Sequence, residues 1–359
     1  MLAFKKKMTI MVDMKLNTVG GFFALDIGTS AIRVVELQHS GKGWNLKHCS
    51  TLSIDNKLSE SSAEQDRKLL GEAIVNVINQ SGIRTKNVAI GIPSQKMFAS
   101  IVEVPTVSKA ELNATIKYQA ENYVPMKSDE AKIDWAIIGE SPIDKDKTEV
   151  LVASVQNTFT EARLDLLEGI GLNVVAIEPD SLALTRALLP DGVTDGRIII
   201  DMGDNFTDLI ITLGNAPRLI RSIPIGFSSL VRAARQNLNI EPQQAQQLVL
   251  KFGVKPDALE GQILRSVDAI LKQLFAEIQK SQKFFASKYP AASIGAILAS
   301  GYASVITGLL DAISENSGVV GQVATPWQHV NVPTTEQANL ASVSSQFAVA
   351  VGLAERTGH

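Results

Sequence analysis

Ala24-Leu25-Asp26-Ile27-Gly28-Thr29-Ser30-Ala31-Ile32-Arg33-Val34-Val35 and Ile199-Ile200-Asp201-Met202-Gly203-Asp204-Asn205-Phe206-Thr207-Asp208-Leu209-Ile210-Ile211 are two copies of one pattern. In each, an apolar run ends in Asp-x-Gly, a few small or polar residues follow, and a second apolar run begins. The glycine suits a tight strand-to-strand turn and lets backbone N–H groups approach a ligand closely. Turn N–H groups with Thr or Ser hydroxyls hold phosphate oxygens. An Asp at the end of each first strand suits hydrated magnesium, which prefers carboxylate and water oxygens. A pair of such hairpins predicts a nucleoside triphosphate held between two domains.

The rest of the composition is consistent with that reading. The chain has 359 residues, 45% apolar and 20% charged, with a net charge of −3. This is enough for two large cores and carries no nucleic-acid signature. Cys49 is the only cysteine, which excludes an internal disulfide and fits a reducing compartment. The four histidines are scattered without metal-ligand spacing. No apolar run approaches the roughly 18 residues of a membrane span. No Walker A sequence occurs, which excludes a P-loop site. Residues 1–19, with Lys5-Lys6-Lys7, read as a flexible leader.

Along the chain, strands are expected over 22–28, 31–38 and 44–54, a helix near 62–81 capped by Ser61 or Ser62, and a strand over 87–92. Residues 93–172 read as a β-α-β-β-α insert. Its two helices are opened by capping-box patterns at Ser108-Lys109-Ala110-Glu111 and Thr158-Phe159-Thr160-Glu161. Leu112, Ile116 and Ala120 share a face of the first of these helices. A buried strand over 172–177, a helix near 179–189, the second hairpin and a strand near 216–224 follow. Helices then run from 227 to 288 with breaks near Pro242 and Pro256. A strand over 294–299 and single helices over 303–315 and 336–354 complete the chain. Asp204 and Asp208 read as members of a solvated turn.

The paired hairpins resemble those of the superfamily of actin, sugar kinases and DnaK-type chaperones. Within it the chain is most similar to the PilM family of type IV pilus assembly proteins, relatives of FtsA. The resemblance covers about residues 20–356. It includes the insert, Ile223-Pro224-Ile225-Gly226, Gln243-Gln244-Ala245-Gln246-Gln247-Leu248 with Lys251, and Phe347-Ala348-Val349-Ala350-Val351-Gly352-Leu353-Ala354. It implies an α/β, actin-like (ribonuclease H-like) two-domain nucleotide clamp with an inserted small α+β subdomain. The implied division is 20–92 with 173–196 and 336–359 as the first subdomain, and 93–172 as the insert. The second half divides into 197–226 with 289–335, and a mainly helical 227–288.

The same resemblance implies ATP and magnesium as ligands. Asp26, Gly28, Thr29, Ser30 and Arg33 match the first phosphate loop, and Asp201, Gly203, Asn205 and Thr207 the second. Asp26 and Asp201 would hold magnesium through water. Glu178, in Ile177-Glu178-Pro179-Asp180, falls where the family positions an attacking water, or is an acid at a helix N-terminus. Glu277, Lys280 and Ser281 match a helix that touches the nucleoside, or form a simple i,i+3 ion pair. Gly301 and Tyr302 stand in the adenine loop, where the family usually has a run of glycines. At most a slow ATPase is implied.

The implied output is docking of the N-terminal cytoplasmic tail of a PilN-like bitopic membrane protein. Other pilus inner-membrane and motor proteins are further partners, homo-oligomerisation is left open, and the location is the inner face of the cell membrane through these partners. A groove involving the insert, with Leu112, Ile116 and Ala120, is implied for the tail. The alternatives are an FtsA- or MreB-like filament protein and a small-molecule kinase of the same fold. The absence of an amphipathic tail after the last helix speaks against self-anchoring. No second set of convergent polar residues marks a kinase substrate pocket.

Overall fold

The computed structural model describes residues 21–41, 43–108, 110–112, 123–127, 129–341 and 343–357. The expected leader, together with Ile116 and Ala120, lies outside the described residues. The chain divides into two compact units.

The first unit comprises residues 1–183, 330–332 and 349–359. Its first strands are β1 (Phe23–Ile27), β2 (Ala31–Ser40) and β3 (Gly43–Ser53), an antiparallel meander. Helix α1 (Glu64–Ser81) follows and buries Leu70, Ile74, Val77 and Ile78, the spacing of one helical face. Gly82 ends it, as expected. The N-cap is Ala63 rather than Ser61 or Ser62 and makes no side-chain bond. The Ser61 hydroxyl turns to the Asp66 carboxylate at 2.5 Å and accepts from Ala63 N at 3.2 Å. Strand β4 (Asn87–Ile92) then lies parallel to β1.

The insert carries β5 (Met97–Pro105), β6 (Ala131–Glu140) and β7 (Lys147–Gln156), in the antiparallel order β5-β7-β6. The first capping box forms. Ser108 donates from N and Oγ to the Glu111 carboxylate at 3.0 and 2.7 Å, and Glu111 N returns a bond to Ser108 Oγ at 3.3 Å. Leu112 packs with Val104, Val124, Val150 and Val152 on one face of this sheet. The second box does not form. Helix α2 (Asn157–Gly169) starts two residues earlier than a Thr158 cap would have it, with Asn157 N engaged by Glu130 O at 2.9 Å. Its N-cap, Gln156, makes no side-chain bond.

Strand β8 (Asn173–Pro179) pairs parallel to β4, and helix α3 (Asp180–Leu188) follows it directly. Together with the short strand Val330–Asn331 beside β3, the main sheet runs β3-β2-β1-β4-β8.

The second unit comprises residues 184–329 and 333–348. Strands β9 (Gly196–Met202), β10 (Thr207–Leu213) and β11 (Ala216–Ile223) form a second antiparallel meander. Helices α4 (Phe227–Leu238), α5 (Pro242–Phe252) and α6 (Gln262–Lys288) come next, then β12 (Ile294–Gly301), parallel to β9. The expected helix over 303–315 is two: α7 (Tyr302–Val305) and α8 (Leu309–Ser317). Thr307 O between them accepts from Val254 N at 2.9 Å, which holds that segment out of the helix and against the end of α5. Strand β13 (Gly321–Val323) completes a sheet of order β11-β10-β9-β12-β13.

Numbered within each sheet, both units therefore run 3-2-1-4-5, antiparallel across the first three strands and parallel across the rest. One face of the second sheet, with Ile198, Ile200, Leu209 and Ile297, packs against Leu230, Val249, Val267 and Leu274 of the helices. The expected closing helix is also divided, into α9 (Thr334–Ala341) and α10 (Ala348–Ala354). Phe347 between them is buried against Trp327, with ring centroids 5.6 Å apart. No described helix is long and apolar enough to cross a membrane.

Candidate functional site

Each unit opens on one Asp-x-Gly hairpin. In the first, Asp26 is the penultimate residue of β1 and stands opposite Arg33 of β2. Arg33 Nη1 donates to Asp26 Oδ2 at 3.2 Å, and both side chains are largely buried. Burial raises the Asp26 carboxyl above its ordinary value of 3.8, against the opposing charge and hydrogen bond of Arg33. Gly28 N donates to Ala31 O at 3.0 Å to close the turn. A Cβ on Gly28 would lie 3.1 Å from both Ala31 O and Arg33 Nη1, so the guanidinium rests against the bare backbone of the loop. Thr29 and Ser30 form the half-buried bend, and Ser30 O accepts from Ile54 N at 2.9 Å.

The second hairpin repeats this frame with different charges. Asp201 of β9 stands opposite Asp208 of β10, where the first hairpin has an arginine. Gly203 N donates to Phe206 O at 2.8 Å, and Asn205 is half-buried in the turn. Thr207 is fully buried, and its hydroxyl donates to Ile225 O at 2.6 Å, tying the hairpin to the segment that opens α4. Asp204 and Asp208 are not a solvated turn, as both are half-buried and Asp208 lies within β10. Asp204 accepts from the Tyr302 hydroxyl at 3.3 Å.

The adenine-loop candidates sit against this second hairpin. A Cβ on Gly301, whose φ is +57°, would meet Met202 O at 2.3 Å and Asp201 Oδ1 at 2.9 Å. The Tyr302 ring stacks on Phe227 with centroids 4.1 Å apart and planes 14° from parallel. One face of the ring is thus covered by the protein itself.

On α6, Glu277, Lys280 and Ser281 gather around an arginine from β11. Arg221 Nη2 pairs with the Glu277 carboxylate at 3.1 Å, and its Nη1 donates to Ser281 Oγ at 3.2 Å. The fully buried Ser281 hydroxyl donates in turn to Glu277 O at 2.8 Å. Lys280, two-thirds exposed, reaches Glu277 at 3.9 Å.

Glu178 lies on β8, in the first unit, with only 2% of its side chain exposed. Arg356, just past α10, donates from Nη1 to its Oε2 at 2.6 Å. The acid in the first turn of α3 is Asp180. Its carboxylate lies where a Cβ on residue 91 would be, so Gly91 leaves it room. Asp180 also faces Arg163, whose pKa burial pushes down to about 10 against the pull of this carboxylate. Among the described residues no group of three or more His, Cys, Asp or Glu side chains gathers as a metal cluster.

A family model described as type IV pilus assembly protein PilM matches residues 24–358. The chain belongs to the PilM family. The solved structure of a PilM-PilN type IV pilus biogenesis complex is similar to it, with a TM-score of 0.80 and 22% identity over 93% of this chain and 97% of that one. The ethanolamine utilization protein EutJ from Carboxydothermus hydrogenoformans has a TM-score of 0.53 and 16% identity, over 96% and 92% of the two chains. MreB 5 of Spiroplasma citri bound to AMPPNP has a TM-score of 0.51 and 13% identity, over 93% and 95%. The fold is that of the actin-like ATPases.

As a member of this family the chain carries its hairpins as expected, but three side chains at the candidate sites were not foreseen. Arg356, Arg221 and Phe227 reach Glu178, Glu277 and Tyr302 from 178, 56 and 75 positions away. No local pattern in the sequence marks any of them.

Proposed function

We infer that this PilM-family protein binds an adenine nucleotide with magnesium at its two Asp-x-Gly hairpins. In that form it docks the N-terminal cytoplasmic tail of a PilN-like inner-membrane protein during type IV pilus assembly. The reading is carried by the match, over nearly the whole chain, to a structure described as a PilM-PilN complex. The nucleotide is supported by the fold shared with an AMPPNP-bound MreB 5 and by the donors present. Asp26 and Asp201 offer hard carboxylate oxygens, and Gly28 and Gly203 bring turn N–H groups close. Magnesium neutralises phosphate charge when bound. Thr29, Ser30 and Asn205 would bind phosphate oxygens, with Arg33 beside them and Thr207 fixing the second loop. Glu277, Lys280, Gly301 and Tyr302 would flank the nucleoside, with Ser281 acting through Arg221.

In this reading the protein reaches the inner face of the membrane through its partner. A short tail that orders only on docking gives modest affinity, which a nucleotide-ordered protein improves. The subdomain division given above, with 93–172 beside the first sheet as the docking module, belongs to the same proposal.

The test is calorimetry of the full chain, with and without ATP and magnesium, against synthetic N-terminal peptides of candidate pilus membrane proteins. Binding of one peptide, strengthened by nucleotide, is expected. Absence of binding to all of them, with ready polymerisation on lipid, would replace this reading with the filament one. Rapid turnover of ATP with a small substrate would replace it with the kinase.

A further inference from the structure

The two hairpins share a backbone frame and differ in one charge. Arg33 and Asp208 each stand seven residues after the hairpin's Asp, and each faces that Asp across the antiparallel pair. The turn therefore does not require an arginine at this place. In the first hairpin the arginine donates to the carboxylate at 3.2 Å, and the two side chains are 14% and 11% exposed. Its Nη1 also lies 3.1 Å from where a Cβ of Gly28 would stand, directly against the loop backbone. A buried carboxylate without a partner is costly, and a guanidinium so placed relieves that cost. The same guanidinium, from β2, lies beside the loop that would receive phosphates.

We propose that Arg33 is the built-in counter-ion of Asp26 and makes magnesium binding at that carboxylate conditional on nucleotide. Guanidinium and divalent cation compete for one carboxylate. Phosphate oxygens at Gly28 give the guanidinium a second anionic partner, of the bidentate kind it prefers, and so release Asp26 to the hydrated cation. Magnesium alone offers no such exchange. This rests on the nucleotide reading above and adds an order to it: cation and nucleotide enter together. Arg33 is on this view a gating residue, and the corresponding position of the second hairpin holds Asp208.

The test is the melting temperature of the full chain in EDTA, in millimolar magnesium chloride alone, and in magnesium with ATP. Wild type is expected to melt alike in EDTA and magnesium alone. Arg33→Gln should melt lower in EDTA and gain a few degrees, about 3 °C, from magnesium alone, because Asp26 then lacks its partner. Arg33→Lys, which keeps the charge beside Asp26, should like wild type gain nothing from magnesium alone. An Arg33→Gln protein that gains nothing from magnesium alone, or a wild type that gains as much, overturns the proposal. If Arg33→Gln is recovered only with magnesium, the proposal stands. If it cannot be recovered at all, the double variant Asp26→Asn/Arg33→Gln decides. Its recovery as folded protein supports the counter-ion role, and its failure to fold refutes it. A wild type unmoved by ATP with magnesium would count against the nucleotide reading alone, since the magnesium-only comparison does not involve nucleotide.

Discussion

Arg356 donates to the Glu178 carboxylate at 2.6 Å, joining the end of the last helix to the last strand of the first unit's main sheet across 178 residues of sequence. The guanidinium side chain is 12% exposed and the carboxylate 2%. Removing one member of so buried a pair leaves an uncompensated charge, at a cost of about 3–5 kcal/mol. Arg356→Ala should therefore lower the unfolding free energy by that amount, read as a lower urea midpoint with the slope unchanged. Glu178→Gln/Arg356→Met should lose much less. This bears on function, because a carboxylate held this way is a poor candidate for orienting water. If Arg356→Ala costs under about 1 kcal/mol, the pair is dispensable. Glu178 is then better read as a water-positioning residue.

Legibility followed the range of the forces involved. The hairpins at Asp26 and Asp201, the strand Asn87–Ile92 and the box of Ser108 with Glu111 are set by neighbours in sequence, and the structure has them where the pattern put them. The helices expected over 303–315 and 336–354 are each divided by a contact no local pattern encodes. These contacts are Thr307 O with Val254 N and Phe347 with Trp327. Asp204 looked like a solvated turn residue because its partner, Tyr302, is 98 positions away.

Gly301 and Gly318 both have positive φ, +57° and +70°, but only Gly318 is left-handed helical, with ψ of 15° against −141° at Gly301. A Cβ on Gly318 meets nothing within 4 Å. Gly318→Ala should cost about 1–2 kcal/mol, the conformational term alone. Gly301→Ala should cost a further 1–3 kcal/mol or so, because its φ and ψ of +57° and −141° suit glycine alone and its Cβ is driven against Met202 O and the Asp201 carboxylate. Equal losses in chemical denaturation would show that the strand relaxes around the methyl group.

Tyr302 tests what replaced the glycine run. Tyr302→Phe keeps the stack on Phe227 and removes one hydrogen bond to Asp204, so a loss of about 1 kcal/mol or less is expected. Tyr302→Ala removes a half-buried ring and should cost roughly 2–3 kcal/mol, below the full-burial range. If ATP affinity, read by calorimetry, survives Tyr302→Phe and falls with Tyr302→Ala beyond what stability explains, the ring supports the base. Unchanged affinity in both would confine Tyr302 to the fold.

The capping box of the insert has an acid limit. The Ser108 hydroxyl, then its backbone N–H, hold the Glu111 carboxyl below its ordinary value of 4.5. A depressed acid stabilises the fold above its unfolded pKa, and that contribution is lost as pH falls through the folded value. The Ser108 amide resonance should therefore titrate with a midpoint below 4.5, and Glu111→Gln should abolish that titration. A midpoint at or above 4.5 would mean the box is open in solution.

Lys280 and Glu277 distinguish a nucleoside contact from an ion-pair cluster. Glu277 is held at 3.1 Å by Arg221, which also donates to the buried Ser281, whereas Lys280 is two-thirds exposed and 3.9 Å away. An exposed pair of this length contributes about 0–0.5 kcal/mol, so Lys280→Ala should leave the melting temperature unchanged. Glu277→Ala removes the carboxylate partner of Arg221 and should destabilise by about 1 kcal/mol, since that pair is only partly exposed. Because Lys280 contributes so little to the fold, any loss of ATP affinity in Lys280→Ala reports contact with the nucleotide. If affinity instead falls only with Glu277→Ala and Arg221→Ala, in step with their loss of stability, the α6 residues support the second unit and the nucleoside is held elsewhere.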